Sequence, residues 1–427
     1  MQNRYMQKTL YACCIIIGFA ALSCRPVQDN SVVTFWAFGA EGENVGKLLP
    51  EFERRHPGIH VKLQSIPWTA AHEKLLTAFA GSSTPDVCQL GNTWIPEFSV
   101  LHAIEPLDTY LAKSNNLRQS SYFPGIWKTN SIDQTLFGIP WYVDTRVIFY
   151  RTDILAAAGY PAFPRTWQEW YDAALKIKKL PMKGEHYAML LPTSEWAPPV
   201  IMGLQNESTL LRDHNQYGNF SDQKFKDAFT FYIRFFREQL APVGNTQVTN
   251  IYQGISEGFF AMYITGPWNI GEFIHRLPPD LQDKWMTAPM PNTTTDSIPG
   301  VSLAGGSSLV VFRNSKNKDA AWQLIEFLSE PENQVGFYHL TGDLPARRKS
   351  WQDTSFTNNV YIQAFLKQLD YVTPMPAVPE WERIAMKIQD YSELAAAGRV
   401  TIEEALRNLD RDADIILEKH RWMVNKQ

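Results

Sequence analysis

The chain has 427 residues, which at ~150 residues per domain suggests two or three domains or two large lobes. A hydrophobic fraction of 44% with 20% charged residues supports a buried core and excludes bulk disorder. A net charge of −4 argues against a chain built around a nucleic-acid backbone, and a mean hydropathy of −0.27 excludes a polytopic membrane protein. The 14 Trp exceed what a core needs; flat aromatic faces gripping a ligand would account for some of them.

Arg4 and Lys8 precede the apolar run LYACCIIIGFAAL (10–22). This reads as a secretory signal over residues 1–23. Ala21-Leu22-Ser23-Cys24 resembles the lipobox of bacterial lipoproteins, with Ala21 where Leu is usual. Cys24 is therefore the expected lipidation site, with plain secretion as its rival, and residues 24–31 read as a polar tether. Cys13 and Cys14 leave with the signal. Cys88 then stands alone in VCQL, as a small buried filler without metal or redox partners.

VVTFWAF (32–38) is a buried strand. GAEG (39–42) reads as a turn. ENVGKLLPEFERRH carries Val45, Leu48, Leu49 and Phe52 at helical spacing, with a kink expected at Pro50. IHVKLQSI (59–66) alternates as a strand, TAAHEKLLTAFAG (69–81) is a helix and PDVCQLG (85–91) a third strand. This βαβαβ order predicts a parallel α/β layer. The run 139–151 is β-prone. Thr166 and Glu169 form a capping box for a helix striped by Trp167, Trp170 and Tyr171. A helix follows Ser221, FFAMYITGPW (259–268) is a strand ending in a turn, SSLVVF (307–312) is a strand, and 316–330 is a helix. Thr401 and Glu404 cap a C-terminal helix. Trp36, Trp167, Trp170 and Trp322 are expected in the core.

No GxGxxG, Walker loop, HExxH or Cys-rich metal spacing is present. GISEG (254–258) matches the GxSxG pattern, but a nucleophile elbow needs a strand before the Ser and a helix after it. Here the order is inverted, so a helix-to-strand turn is the reading. His56, His60 and His72 read as surface residues, and Arg347-Arg348-Lys349 as a solvated loop.

An ordered set of strings resembles the extracellular solute-binding proteins of sugar ABC transporters, of the maltose, trehalose and glucose type. They include FWAFGAEGENV, FERRHPGIHV, IPWTAAHEKLLTAFAGSSTPDVCQLGNTW, GIPWYVDTRVIFYRTDIL, FPRTWQEW, AMYITGPWNIG, AGGSSLVVFRNSKNKDAAWQLIEFLSEPENQ and TGDLPAR. PMPAVPEWERI and GRVTIEEAL near the end also look familial. The resemblance implies a two-lobed α/β fold with three crossover segments, residues 32–142 and 303–348 forming one lobe and 146–299 and 350–427 the other. It implies no catalysis and no cofactor. A mono- or oligosaccharide would be clamped between the lobes and delivered to the membrane permease. The partners implied are a carbohydrate, the permease subunits and, through a lipid anchor, the membrane; no nucleic acid is involved and a monomer is expected.

Within that implied fold, strand ends face the crevice. They place Glu41, Trp68, Asn92, Trp94, Asp144, Arg146, Trp268, Gly306 and Asp343 as candidate ligand contacts, with Tyr142 on the same crossover and Arg347 closing TGDLPAR. Trp196 and Trp381 fall in regions that carry aromatic platforms in the maltose-type relatives. Indoles would cover the sugar's CH faces while carboxylates, amides and Arg pair its hydroxyls. Each has a plainer rival: Trp68 and Trp268 as core filler, Glu41 as a helix cap, Asp144 as a local partner of Arg146, and Gly306 as a bend needing positive φ. A binder of polyamine, peptide or sugar phosphate, and a secreted glycoside-active enzyme, are the alternatives.

Overall fold

The computed structural model describes residues 31–243 and 250–424. The expected signal and Cys24 lie outside the described residues. Ser31, expected as the last tether residue, already opens β1 (Ser31–Phe38). Val33, Phe35 and Ala37 of β1 pack into one apolar cluster and Phe38 into another, so the strand is covered on both faces.

Two local expectations change here. GAEG is not a turn but opens α1 (Gly39–Asn44). Gly39 has φ +54°, and a Cβ there would stand 2.5 Å from the Trp68 ring, so the entry requires glycine. The helix expected through Pro50 is broken rather than kinked. A 3₁₀ turn (Val45–Lys47) intervenes, and α2 (Leu49–Arg55) starts afresh with Pro50 in its first turn, where a missing N–H is harmless. Then β2 (Ile59–Ile66), α3 (Trp68–Ala80) and β3 (Val87–Gly91) complete the βαβαβ unit. β1 pairs in parallel with both β2 and β3.

The β-prone run 139–151 is two strands. β4 (Ile139–Asp144) ends at Asp144 and β5 (Val147–Arg151) begins after Thr145 and Arg146. α4 (Trp167–Lys178) starts from the Thr166–Glu169 capping box, both halves of which form. β6 (Tyr187–Leu190), α5 (Ala197–Gln205), α6 (Gln223–Arg237) and α7 (Ile251–Glu257) follow. Gly258 closes α7 at φ +74° and β7 (Phe260–Thr265) comes next. GISEG is thus a helix-to-strand turn. The turn after β7 leads directly into α8 (Trp268–Arg276), then β8 (Trp285–Ala288).

The rest comprises β9 (Ser302–Leu303), β10 (Gly305–Val311), α9 (Lys318–Leu328), α10 (Pro331–Thr341) and β11 (Leu344–Pro345). Beyond these lie β12 (Val372–Thr373), α11 (Trp381–Ala396) and α12 (Ile402–Ile416), the last started by the Thr401–Glu404 capping box. The strands form one six-stranded sheet, β11-β4-β10-β3-β1-β2, and one four-stranded sheet, β8-β5-β7-β6. The chain therefore passes between the sheets at Thr145-Arg146, again between β8 and β10, and again after β11. Ser302 and Leu303 pair in parallel with Val372 and Thr373, which ties the second passage to the segment that follows the third. Both sheets are mixed: in the larger one β10 pairs antiparallel with β3 and β4, and β11 with β4, while in the smaller one β5 pairs antiparallel with β7 and β8, and β7 parallel with β6.

Trp170 and Trp322 are in the core as expected, whereas Trp36 and Trp167 are only partly buried. Cys88 is fully buried, and burial pushes its thiol well up. Asp86, just before β3, anchors β1: its Oδ2 accepts from the Thr34 N–H at 2.8 Å and the Thr34 hydroxyl at 2.7 Å, and its Oδ1 accepts from the Ser315 hydroxyl at 2.6 Å. Asp86→Ala is expected to destabilise the protein by about 2–3 kcal/mol, read as a lower midpoint in denaturant unfolding. An unchanged midpoint would rule out this anchoring role.

Candidate ligand-binding site

A cavity of about 500 Å³ opens between the strand ends of the two sheets. Glu41, Trp68, Asn92, Trp94, Tyr142 and Asp144 line it from the six-stranded side, joined by Gly306 and Asp343. Trp196 and Trp268 line it from the four-stranded side, and Arg146 from the first passage. Eleven of the thirteen candidates thus converge on one cavity, which also takes in Thr93, Thr341 and Met375.

Glu41 is buried in the first turn of α1. Its Oε1 accepts from the Tyr142 hydroxyl at 2.6 Å and its Oε2 from the Trp68 indole N–H at 3.3 Å. Among the described residues it makes no capping bond to the helix; it locks two cavity rings in place instead. The Tyr142 oxygen in turn accepts from Gln89 Nε2 at 3.2 Å and from Ser307 Oγ at 3.0 Å. Burial, then Glu41 and Asp343, push the Tyr142 phenol well up, so it stays a neutral donor.

Asp144 and Arg146 form the local pair. Arg146 Nη1 donates to both Asp144 oxygens, at 2.6 and 2.8 Å. Burial pushes the Asp144 carboxyl up and the Arg146 charge opposes it. The expectation favoured a ligand hydroxyl for Asp144; the structure gives it a protein partner first, because an unpaired buried carboxylate is costly. The Arg146 guanidinium lies 4.5 Å over the Trp268 ring, a cation–π contact. Trp268, the first residue of α8, remains 47% exposed, which argues against a filler role.

Trp68 and Trp94 meet edge to face at 5.6 Å. The His72 ring is 5.0 Å from Trp94 and bonds Glu97 at 2.6 Å, which raises its pKa; His72 is thus a half-buried partner of the aromatic wall, not a plain surface residue. Asn92 Oδ1 accepts from Ser308 Oγ at 2.9 Å while its buried Nδ2 has no partner among the described residues. Asp343 Oδ2 is likewise buried and unpartnered. Burial first, and Glu41 next, hold the Asp343 carboxyl well above its ordinary range. Gly306 has φ +115°, and a Cβ there would stand 2.3 Å from the Tyr142 carbonyl oxygen, so backbone geometry requires glycine at a position that also lines the cavity.

Two expected residues do not reach the cavity wall. Arg347 is buried, donating to the Ser329 carbonyl at 3.2 Å, with its backbone N–H on Gln334 Oε1 at 2.9 Å. It ties the third passage to α10, and this need for a buried bond network also overturns the reading of 347–349 as solvated loop at that residue. Trp381 is 1% exposed at the start of α11 and packs edge to face on Trp196 at 5.7 Å; it supports a cavity ring from behind. Sequence reasoning missed Thr93, although it sits between two residues singled out, and Met375, inside PMPAVPEW. The cavity can do two things at once: present apolar ring surface and present acceptors and donors at its rim. That combination suits a ligand with CH faces and hydroxyls.

The family profile described as bacterial extracellular solute-binding protein matches residues 38–335. The galactooligosaccharide-binding protein of Bacillus subtilis is 23% identical over 434 residues, covering 93% of this chain and 94% of that protein. The diacetylchitobiose-binding protein of Streptomyces coelicolor is 26% identical over 347 residues, covering 79% of this chain and 78% of its own length. The solved structure of the sugar-binding protein MalE from Xanthomonas citri superposes with a TM-score of 0.89 at 45% identity, covering 93% of this chain and all of that one.

Because the Asp343 pKa is raised on folding, stability associated with its neutral form is present below the ordinary value of 3.8 and is lost as pH rises toward the folded value. Asp343→Asn escapes that loss. Its melting temperature is expected to gain on the wild type between pH 4 and pH 7; a gap that stays constant with pH would show that Asp343 ionises without penalty.

Proposed function

Since the chain belongs to the bacterial extracellular solute-binding protein family, we propose that this exported binding protein receives a mono- or oligosaccharide in the cavity between its two sheets and passes it to an ABC permease. It is not an enzyme. One observation carries the reading: four indoles and three carboxyl groups, drawn from both sheets, face one cavity. The names of two relatives are those of saccharide binders, which supports a saccharide here.

The sugar's CH face would stack on Trp268 across from the Trp68–Trp94 pair. Hydroxyls would meet the Asp144–Arg146 pair, the free Asn92 Nδ2 and Asp343. The lobes would be residues 32–142 with 303–348 and residues 146–299 with 350–427, hinged at the three passages. A ligand closes such lobes only by binding the closed form more tightly, so contacts from both sheets are required. Among the described residues Arg146 is the only cation lining the cavity, and it is already paired, which disfavours a sugar phosphate. Cys24 would carry lipid and hold the protein at the membrane as a monomer on a short tether.

Trp268→Ala is expected to weaken binding by at least ~1 kcal/mol with an unchanged melting temperature. Titrating intrinsic tryptophan fluorescence with a sugar panel reads it; equal affinity would take Trp268 out of the site. If no sugar binds but putrescine or spermidine does, the acidic cavity serves a polyamine. Cys24→Ser is expected to move the protein from the detergent phase to the aqueous phase on Triton X-114 partitioning, and retention in detergent would contradict the anchor.

A further inference from the structure

One hydrogen bond crosses between the two halves beside the cavity. Thr93, in the 3₁₀ turn after β3, donates its hydroxyl to Glu382 Oε1 at 2.5 Å. Thr93 lines the cavity; Glu382, in the first turn of α11, does not. The two residues are 289 positions apart in sequence. Thr93 moves with the six-stranded sheet, whereas α11 packs in the core cluster of the four-stranded sheet. The bond therefore exists only while the two halves stand close together. Its surroundings favour the same approach. His72, on the same side as Thr93, is held by Glu97, and Glu382 adds to the charge that favours its protonated form. A ring whose protonation is favoured on one half thus lies within the field of a carboxylate on the other. Behind Glu382, Trp381 packs on the cavity ring Trp196, so the helix end that carries the acceptor is seated firmly.

We propose that Glu382 is a positioning residue, accepting the Thr93 hydroxyl across the cleft so that the closed form is favoured and every ligand is bound more tightly by one common factor. The proposal rests on the reading above, that a ligand binds between the halves. Its logic is that of a coupled equilibrium. Apparent affinity is the intrinsic affinity scaled by the population of the competent form. A group that touches only the other half alters the population and not the intrinsic term. A group that touches the ligand alters the intrinsic term, by an amount that depends on the ligand.

The experiment measures dissociation constants of the full chain for maltose, trehalose, maltotetraose and diacetylchitobiose by calorimetry. Glu382→Ala is expected to weaken each sugar that binds by the same factor, roughly ten-fold. Glu382→Gln, whose amide oxygen still accepts, is expected to stay within roughly three-fold of the wild type. Trp268→Ala, by contrast, should weaken the sugars unequally. Should Glu382→Ala fail to fold, Glu382→Met keeps the length and apolar stem while removing the acceptor, and meets the same expectation. Where only one sugar binds, loss in the alanine variant with retention in the glutamine variant carries the result. Wild-type affinity in Glu382→Ala, a loss that differs between sugars, or an equal loss in Glu382→Gln overturns the inference alone. Failure of the wild-type protein to bind any of the four overturns the reading beneath it and this inference with it.

Discussion

Everything in this molecule depends on the chain leaving the six-stranded sheet at Asp144 and entering the four-stranded sheet at Val147. Two residues, Thr145 and Arg146, separate strands of different sheets. That short link places the last side chain of one strand and the first polar group of the passage at the same spot. Asp144 and Arg146 then pair because neither could be buried alone. Thr145 donates to the Leu303 carbonyl at 2.8 Å and Ser302 donates to the Arg146 carbonyl at 2.8 Å. The first passage is thereby stitched to the second, and the β9–β12 ladder stitches the second to the segment that follows the third. Links of this kind hold the cavity's polar centre at the place where the chain passes from one sheet to the other.

The cavity wall shows how a binding surface can be rigid before its ligand arrives. Glu41 spends both oxygens on Tyr142 and Trp68, and the Tyr142 oxygen is held by Gln89 and Ser307. The rings therefore face the cavity in one orientation, so little ordering entropy remains to be lost on binding. Against that frame, Asn92 Nδ2, Arg146 Nε and Asp343 Oδ2 stand unpaired among the described residues. Buried polar groups are usually satisfied, and the three exceptions at this cavity mark where a bound molecule has most to offer. The two thus complement each other: a satisfied frame fixes geometry, and unsatisfied atoms supply the driving force for recognition.

Much of the architecture was legible in local pattern. The βαβαβ opening, both Thr–Glu capping boxes and the inverted GISEG turn follow from periodicity and capping chemistry, which act over a few residues. Errors arose where distant contacts decide. Residues 139–151 are β-prone throughout and their local pattern does not divide them; the family resemblance put a lobe boundary between 142 and 146, and the run divides at Thr145 and Arg146. GAEG reads as a turn until Trp68, from another element, packs beside Gly39. Arg347 shares a basic run with Arg348 and Lys349, yet its guanidinium is needed by the Ser329 carbonyl. Trp381 and Trp268 both follow Pro-containing segments; one is core and one is open, and only the packing of α11 against its neighbours separates them.

Composition, hydrophobic period and residue order by themselves determined the layered α/β class, the surplus of indoles and the set of polar residues at strand ends. These are properties of single segments, set by backbone sterics and by the exclusion of apolar side chains from water. The tertiary structure alone decided which rings share a cavity, that Asp144 meets Arg146 before any ligand, that Gly306 must be glycine beneath the Tyr142 carbonyl, and that Thr93 reaches Glu382. Those facts depend on groups far apart in sequence arriving at one place, and no rule of local spacing carries the position of one sheet relative to another.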